Sequence, residues 1–381
     1  MGEAEQHQKA RIRAVELENF LSFEHARVEL GKLNVLVGPN ASGKSNFVKA
    51  LLFLSGLSEG HSTLQVAEEL LEMEFPGLIH GLDIRRQVRL KVELEINGAI
   101  STYEVVIDGL GRIRRELMAE DGSTVLMERE DFKGVYLGIN DQKRTFEVSD
   151  RRYPSFIEIS ERDAHPLLLE TWRSIRNIRT YSFEPHKIRS EAESGFNLEL
   201  RRDGSNLAQV LLTLLTYRRK KFMAVEDTLR SLVPEIEELN VPLTEKGDRT
   251  YIAISEENIE GLLGPSNISD GTLRLLAFIT AIHLGGSLVA FEEPENCVHP
   301  YLLQSLVDLC RHGPSQVVIT THSPYLVDKL EPEELLLVVK QEGRSLIRRL
   351  TAGEKDRIKK MLEEGFTLGE LWCSGELGGV P

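Results

Sequence analysis

The chain is poor in cysteine, in long apolar runs and in positive charge, and each shortage argues against a class of protein. Three cysteines among 381 residues, Cys297, Cys310 and Cys373, form neither a CxxC pair nor an even framework. They are expected as buried small hydrophobes in a reducing cytoplasm rather than as disulfides or metal ligands. No apolar stretch reaches the roughly 18 to 20 residues of a membrane span, and the polar start from Met1 to Ala10 has no signal-peptide core, so a cytoplasmic protein without a membrane partner is expected. Lys and Arg number 46 against 60 Asp and Glu, a formal net charge of −14. The molecule as a whole repels nucleic acid, and DNA would have to meet a local basic face. Candidates are Arg85, Arg86, Arg89 and Lys91, then Arg112, Arg114 and Arg115, then Arg218, Arg219, Lys220 and Lys221, though such clusters ordinarily form the solvated side of a strand or helix. No internal repeat or low-complexity tract stands out, and no stretch sustains the three or four heptads of a long coiled coil.

What the chain does have is Gly38-Pro-Asn-Ala-Ser-Gly-Lys-Ser45, a match to GxxxxGK[ST]. The apolar run Leu33 to Val37 before it reads as a strand, and Lys44 to Leu57 after it as a helix with Phe47, Leu51 and Leu54 on one face. Gly38 and Gly43 let the backbone curl so that N–H groups point at phosphate oxygens, and the helix start adds its positive dipole end. Lys44 would reach the β- and γ-phosphates and Ser45 would offer its hydroxyl to Mg²⁺. Gly38, Pro39, Asn40, Ala41, Ser42, Gly43, Lys44, Ser45 and Asn46 are thus expected to bind a nucleoside triphosphate.

Around this loop, Arg11 to Val37 reads as three short strands, including Arg13 to Leu17 and Ala26 to Leu30, separated by Glu18-Asn-Phe-Leu-Ser-Phe23. After the helix, Arg89 to Ile96 alternates strictly, Asn97-Gly98 lies in the connection to Thr102–Ile107, and Asp108 to Gly111 supplies another turn, which predicts an antiparallel sheet. From about Pro166 to Pro234 the period turns helical, most clearly over Ser205 to Thr216 and at Phe222, Val225, Leu229 and Leu232, a compact insertion. Beyond a strand-rich stretch near Tyr251 to Ile254, strand and helix alternate as a parallel sheet with crossover helices requires.

Leu288-Val-Ala-Phe291 is a short apolar strand running into Glu292-Glu-Pro-Glu295, so carboxylates emerge at its C-terminal end, where open α/β sheets bind ligands. In a Walker B arrangement Glu292 would hold the Mg²⁺ sphere and Glu293 would orient or deprotonate the attacking water. The strand Gln316 to Thr320 ends at Thr321-His322-Ser-Pro-Tyr325, which sets His322 at the same edge, able to hydrogen-bond the γ-phosphate or the water. Ser269-Asp270-Gly271-Thr272 opens an amphipathic helix with Leu273, Leu276, Ala277, Thr280, Ala281 and Leu284 in one stripe, and Ser269 is a good N-cap.

The pieces GPNASGKS, SDGT, FEEPE and THS together resemble the ABC-type ATPase heads of the SMC, RecF and OLD group, in particular the RecF-like AAA family ATPases of bacterial defence and mobile loci. The likeness spans about Arg11 to Val339, and the opening phrase NFLSF and the run Glu292 to Pro300 fit the same branch. It implies an α/β P-loop ABC-type ATPase head with an antiparallel β subdomain and a compact helical insertion. The expected parts are an N-terminal lobe over 1–150, the insertion over 151–250, a C-terminal lobe over 251–350 and a tail over 351–381. It implies ATP and Mg²⁺ as cofactors, with Lys44, Glu293 and His322 catalytic and Ser45 and Glu292 on the metal. It also implies a homodimer or higher oligomer, in which Ser269, Asp270 and Gly271 of one subunit complete the nucleotide site of the other. Glu292 stands where an aspartate is usual and SDGT replaces LSGGQ, departures that argue against a transporter; the glutamine that usually senses Mg²⁺ is not identifiable.

OLD nucleases carry a TOPRIM domain after the head, and the roughly forty residues that follow the last strand here are too few to fold one. Glu354 to Glu364 reads as a helix, and the ending resembles stand-alone ATPases that sit beside a small TOPRIM-like or other nuclease-like protein. Leu371, Trp372 and Leu377 either dock such a partner or tuck back onto the head. The leading expectation is an ATP-hydrolysing switch that senses or processes DNA in defence or repair. The alternative is an ATP-dependent scaffold that holds a separate nuclease or toxin effector.

Overall fold

A computed structural model describes residues 10–296 and 298–377. The expectations for the first nine residues, for Cys297 and for the last four residues lie outside that range. The longer strands in chain order are β1 (Ala10–Phe20), β2 (Phe23–Glu29), β3 (Leu33–Val37), β4 (Val88–Ile96), β5 (Ala99–Ile107), β6 (Ile113–Glu120), β7 (Thr124–Glu130), β8 (Lys133–Leu137), β9 (Lys143–Glu147), β10 (Ile178–Tyr181), β11 (Ile236–Asn240), β12 (Ala253–Glu256), β13 (Leu288–Glu292), β14 (Gln316–Thr321), β15 (Leu335–Gln341) and β16 (Arg344–Arg348). The principal helices are α1 (Lys44–Ser58), α2 (Pro166–Arg176), α3 (Leu207–Tyr217), α4 (Arg219–Leu232), α5 (Asp270–Leu284), α6 (Leu303–His312), α7 (Ala352–Glu363) and α8 (Leu368–Cys373). Two compact units interleave along the chain, one built from residues 10–31, 38–178 and 336–349, the other from 32–37, 179–335 and 350–377.

The first unit is built on an eight-stranded antiparallel sheet in the order β2-β1-β4-β5-β6-β7-β8-β9. Its alternating sequences become alternating burial: in β4 Leu90, Val92 and Leu94 are fully enclosed while Lys91, Glu93 and Glu95 are half-exposed. Asn97 and Gly98 join β4 to β5 with φ of 53° and 88°, the doubly left-handed turn whose twist matches that of paired strands. Helix α1 carries Phe47, Leu51 and Leu54 into the core, and Phe53 stacks edge-on with Phe20 at 5.9 Å. In the sheet Glu116 and Arg129 are both completely buried and 3.0 Å apart, with Tyr103 Oη and Ser155 N also donating to the carboxylate. Burial beside that carboxylate pushes the Tyr103 phenol well above its ordinary pKa.

The second unit holds strands in the order β10-β13-β14-β3. β13, β14 and β3 run parallel, with Glu292 opposite Thr320 and Thr321 opposite Val37, so the three strands end at one edge. All five residues of β3 and all six of β14 are buried, the near-continuous apolar character of a strand covered on both faces. The helical period expected from Pro166 to Pro234 is interrupted by β10 and by a loop over 182–206 stitched down by backbone bonds such as Ser182 N to Arg202 O. Helices α3 and α4 are only 11 and 14 residues long, a compact pair rather than a coiled coil. The strand near Tyr251 to Ile254 falls two residues later, at β12.

In the same unit the tail folds back. Leu371, Trp372 and Leu377 are buried, which removes them as an exposed docking surface. Gly369 N donates to Asp328 Oδ1 at 2.7 Å, and a Cβ on Gly369 would meet Pro324 O, so the absence of a side chain lets α8 seat on the Pro324–Val327 turn. Cys310 is buried as expected, but Cys373 is exposed at the outer end of α8. No helix among the described residues is long and apolar enough to cross a membrane.

Candidate functional site

In the first unit the loop from Gly38 to Ser45 has the backbone its sequence calls for. Gly43 sits at φ 113° and a Cβ there would lie 2.3 Å from Ser345 Oγ; a Cβ on Gly38 would lie 2.1 Å from Val338 O. Ala41 also takes a left-handed φ of 62°. No side chain caps the start of α1, an arrangement that suits an anion at the helix start. Lys44 is 6% exposed and curls back, its Nζ donating to Gly38 O at 2.7 Å and Pro39 O at 2.9 Å. Ser45 is exposed.

Two supports of this loop escaped the sequence reading. Ser22, in the NFLSF phrase, accepts a bond from Asn46 Nδ2 at 2.7 Å. Ser345 Oγ stands 2.5 Å from Ser42 O and 2.7 Å from Ser22 Oγ. Asn46 is therefore engaged in bracing the loop. Single serines more than 300 residues apart in the chain carry no local signal, so only the folded backbone reveals them.

In the second unit the C-terminal edge of the parallel strands gathers the acids and the histidine. Glu293 follows β13 with φ 45°, a left-handed conformation that costs a non-glycine residue roughly 1–2 kcal/mol. Its N–H donates to Thr320 O at 3.0 Å, and its carboxylate meets His322 Nδ1 at 2.9 Å through Oε1 and Asn296 Nδ2 at 2.9 Å through Oε2. The strained residue thus faces the imidazole, and strain of this kind concentrates at functional positions. β3 ends at this edge, and the chain passes at once from Val37 into Gly38.

Glu292 lies one residue back, its side chain 14% exposed, with Arg202 Nη2 2.5 Å from Oε1. Behind it Phe291 packs on Phe278 at 4.5 Å and on Tyr181 at 5.6 Å, and burial pushes the Tyr181 phenol up to about 12. Glu295 is buried; desolvation raises its pKa, opposed by a bond from Thr321 Oγ1. Arg202 and Asn296 were not singled out from sequence, and Glu295 was named only as the last acid of its run. An arginine 90 positions from its acid has no spacing to betray it.

Ser269 caps α5 as expected, accepting from Thr272 N at 3.0 Å. Asp270 is paired with Arg189, whose guanidinium also donates to Ile268 O at 2.7 Å and to Pro265 O, clamping the segment that leads into the helix. Gly271 occupies its first turn. Of the basic clusters, Arg85, Arg86, Arg89, Arg112, Arg114 and Arg115 all pair with carboxylates, and Lys91 lies 4.0 Å from Glu93. Arg218, Arg219 and Lys220 are exposed, with no carboxylate within ion-pair distance among the described residues. Burial, with Arg218 nearby, lowers the Lys221 pKa.

An eight-stranded antiparallel sheet, a parallel strand set with acids and a histidine at its C-terminal edge, and a glycine-rich loop opening a helix define a class: the RecF/SMC-like ABC-type ATPase head. Residues 33–328 match the family described as AAA domain, putative AbiEii toxin, Type IV TA system, and the chain belongs to that family. It is 22% identical over 387 residues to an ATP/GTP phosphatase of Helicobacter pylori, covering 90% of this chain and 96% of that protein. It is 22% identical over 233 residues to the DNA replication and repair protein RecF of Clostridium perfringens, covering 59% of this chain and 60% of the relative. Among solved structures it resembles the Smc head domain of Pyrococcus furiosus bound to the C-terminal domain of ScpA, with a TM-score of 0.57 at 15% identity, covering 93% of this chain and 99% of that one.

Proposed function

We propose that this ATPase is a magnesium-dependent switch that dimerises around ATP and separates on hydrolysis. The observation that carries the reading is the Glu293–His322 contact of 2.9 Å at the end of parallel strands whose neighbour, β3, continues into the phosphate loop. Gly38 to Ser45 would hold the phosphates, with Lys44 exchanging the carbonyls of Gly38 and Pro39 for β- and γ-phosphate oxygens. Glu293 would take the proton of the attacking water, with Asn296 and His322 fixing its carboxylate. His322 would sense the γ-phosphate.

The oxygen donors of Ser45 and Glu292 suit a hard divalent cation, and Glu292 already draws a cation, the Arg202 guanidinium, to its carboxylate. Mg²⁺ held there would supply charge neutralisation on the phosphates. Ser269, Asp270 and Gly271, presented by the clamped start of α5, would cover the nucleotide of a second copy, so that each site needs two chains. The deciding experiment is size-exclusion chromatography with light scattering on Glu293→Gln. With ATP and Mg²⁺ it should run as a stable dimer, and a persistent monomer would refute the switch.

The run Arg218 to Lys221, without carboxylate partners among the described residues while the two other candidate clusters pair with acids, favours DNA as what the switch senses or processes, in bacterial defence or repair. The −14 net charge favours the second reading, a scaffold for a separate nuclease-like or toxin effector. DNA-stimulated ATP turnover supports the first; a copurifying effector without DNA stimulation supports the second.

A further inference from the structure

Glu295 has no part in the chemistry outlined above, yet it is the most enclosed acid of the Glu292–Glu295 run, 7% exposed. Its Oε1 accepts from Thr321 Oγ1, and that same hydroxyl accepts from Ser323 N at 2.9 Å. Thr321 and Ser323 flank His322, so one buried side chain ties down the backbone on both sides of the imidazole. The other side-chain link between these two loops among the described residues, Glu293 to His322, joins side chains 32% and 43% exposed, where water competes and an ion pair contributes little by itself. The second oxygen of Glu295 is buried without a hydrogen-bond partner among the described residues, a desolvation cost that an apolar residue would avoid. A buried acid retained at such a cost needs a reason, and its bond to Thr321 supplies one.

We propose that Glu295 is a positioning residue: through Thr321 it fixes the turn that carries His322, so that the imidazole stays within reach of Glu293. Besides the backbone bond from Glu293 N to Thr320 O, side chains thus join the two loops twice, once by an exposed contact that can open when His322 turns to a phosphate, and once by an enclosed contact that holds the loops together meanwhile. This inference rests on the proposed role of the Glu293–His322 pair in ATP hydrolysis.

Two readouts test it. In ¹⁵N spectra of histidine-labelled protein, the His322 signal should show a hydrogen-bonded Nδ1 in the wild type and lose that signature in Glu295→Ala. Glu295→Gln, whose amide oxygen still accepts from Thr321, should keep it. In steady-state ATP hydrolysis Glu295→Ala should lower kcat by about tenfold or more with KM changed by less than about twofold. The same substitution in a His322→Ala background should cost less than about twofold, because residues acting through one another are not additive. An unchanged His322 signal, or an undiminished loss of kcat in the His322→Ala background, would overturn the proposal. Should His322→Ala alone leave kcat intact, the catalytic role of His322 fails, while the spectra still decide whether Glu295 positions it. If Glu295→Ala does not fold, Thr321→Val removes the same link at nearly constant volume and should reproduce both effects; an intact His322 signal there counts against the inference.

Discussion

Arg202 stands on Glu292, the acid expected at the metal, and one positive charge there must compete with another. Arg202→Gln should therefore lower the Mg²⁺ concentration needed for half-maximal ATP hydrolysis and tighten Mg²⁺ binding measured by calorimetry with a non-hydrolysable analogue, by several-fold. An unchanged or higher requirement would show that the guanidinium does not compete. Lys44→Ala should abolish binding of a fluorescent ATP analogue, because it removes the ammonium that now donates to the carbonyls of Gly38 and Pro39, and circular dichroism of the variant should remain that of the wild type. The Glu116–Arg129 pair is a different case. Arg129→Met leaves a fully buried carboxylate without its cation, with only the neutral donors of Tyr103 and Ser155 beside it, and a loss of about 3–5 kcal/mol is expected in chemical denaturation. His283 provides a pH dependence. Burial, with Lys221 nearby, lowers its pKa, and its Nε2 lies 3.0 Å from Thr228 Oγ1. A depressed folded-state pKa means that its contribution is complete above the unfolded value near 6.5 and is lost as pH falls through the folded value. The melting temperature of the wild type should drop more between pH 7 and pH 5 than that of His283→Gln.

Helix α5 begins where its cap says it should. Ser269→Ala removes the acceptor for Thr272 N, and about 1 kcal/mol of stability should go with it, read from thermal melts. Its start is shaped as much by Arg189, at a distance of 81 residues from Asp270, as by its own sequence. Local periodicity marked β1 to β5, α1, α5, β13 and β14 because apolar spacing, turn residues and caps act within a few positions. It did not mark β10 or the loop before α3, whose geometry comes from backbone bonds to distant partners. Helix α8 illustrates the same limit. Its apolar residues could read equally as a docking face or as core, and only the Pro324–Val327 turn beneath them decides for core. Trp372→Ala should accordingly cost about 3–5 kcal/mol, a packing loss rather than a loss of partner.

For the molecule as a whole, the charge pattern sets what it can approach. Replacing Arg218, Arg219 and Lys220 with glutamate should abolish any DNA-stimulated turnover while sparing basal hydrolysis, and unchanged stimulation would move the DNA contact elsewhere. The sequence by itself determined the glycine-rich loop, the acids after an apolar strand, the capped start of α5 and the order of these motifs, because each rests on residue types at short, fixed spacing. Only the tertiary structure decided that Ser22 and Ser345 brace the loop, that Arg202 sits on Glu292, that Glu295 reaches Thr321 and that Leu371, Trp372 and Leu377 are buried. Those contacts join residues tens to hundreds of positions apart, and a chain records such neighbours only once packing has brought them together.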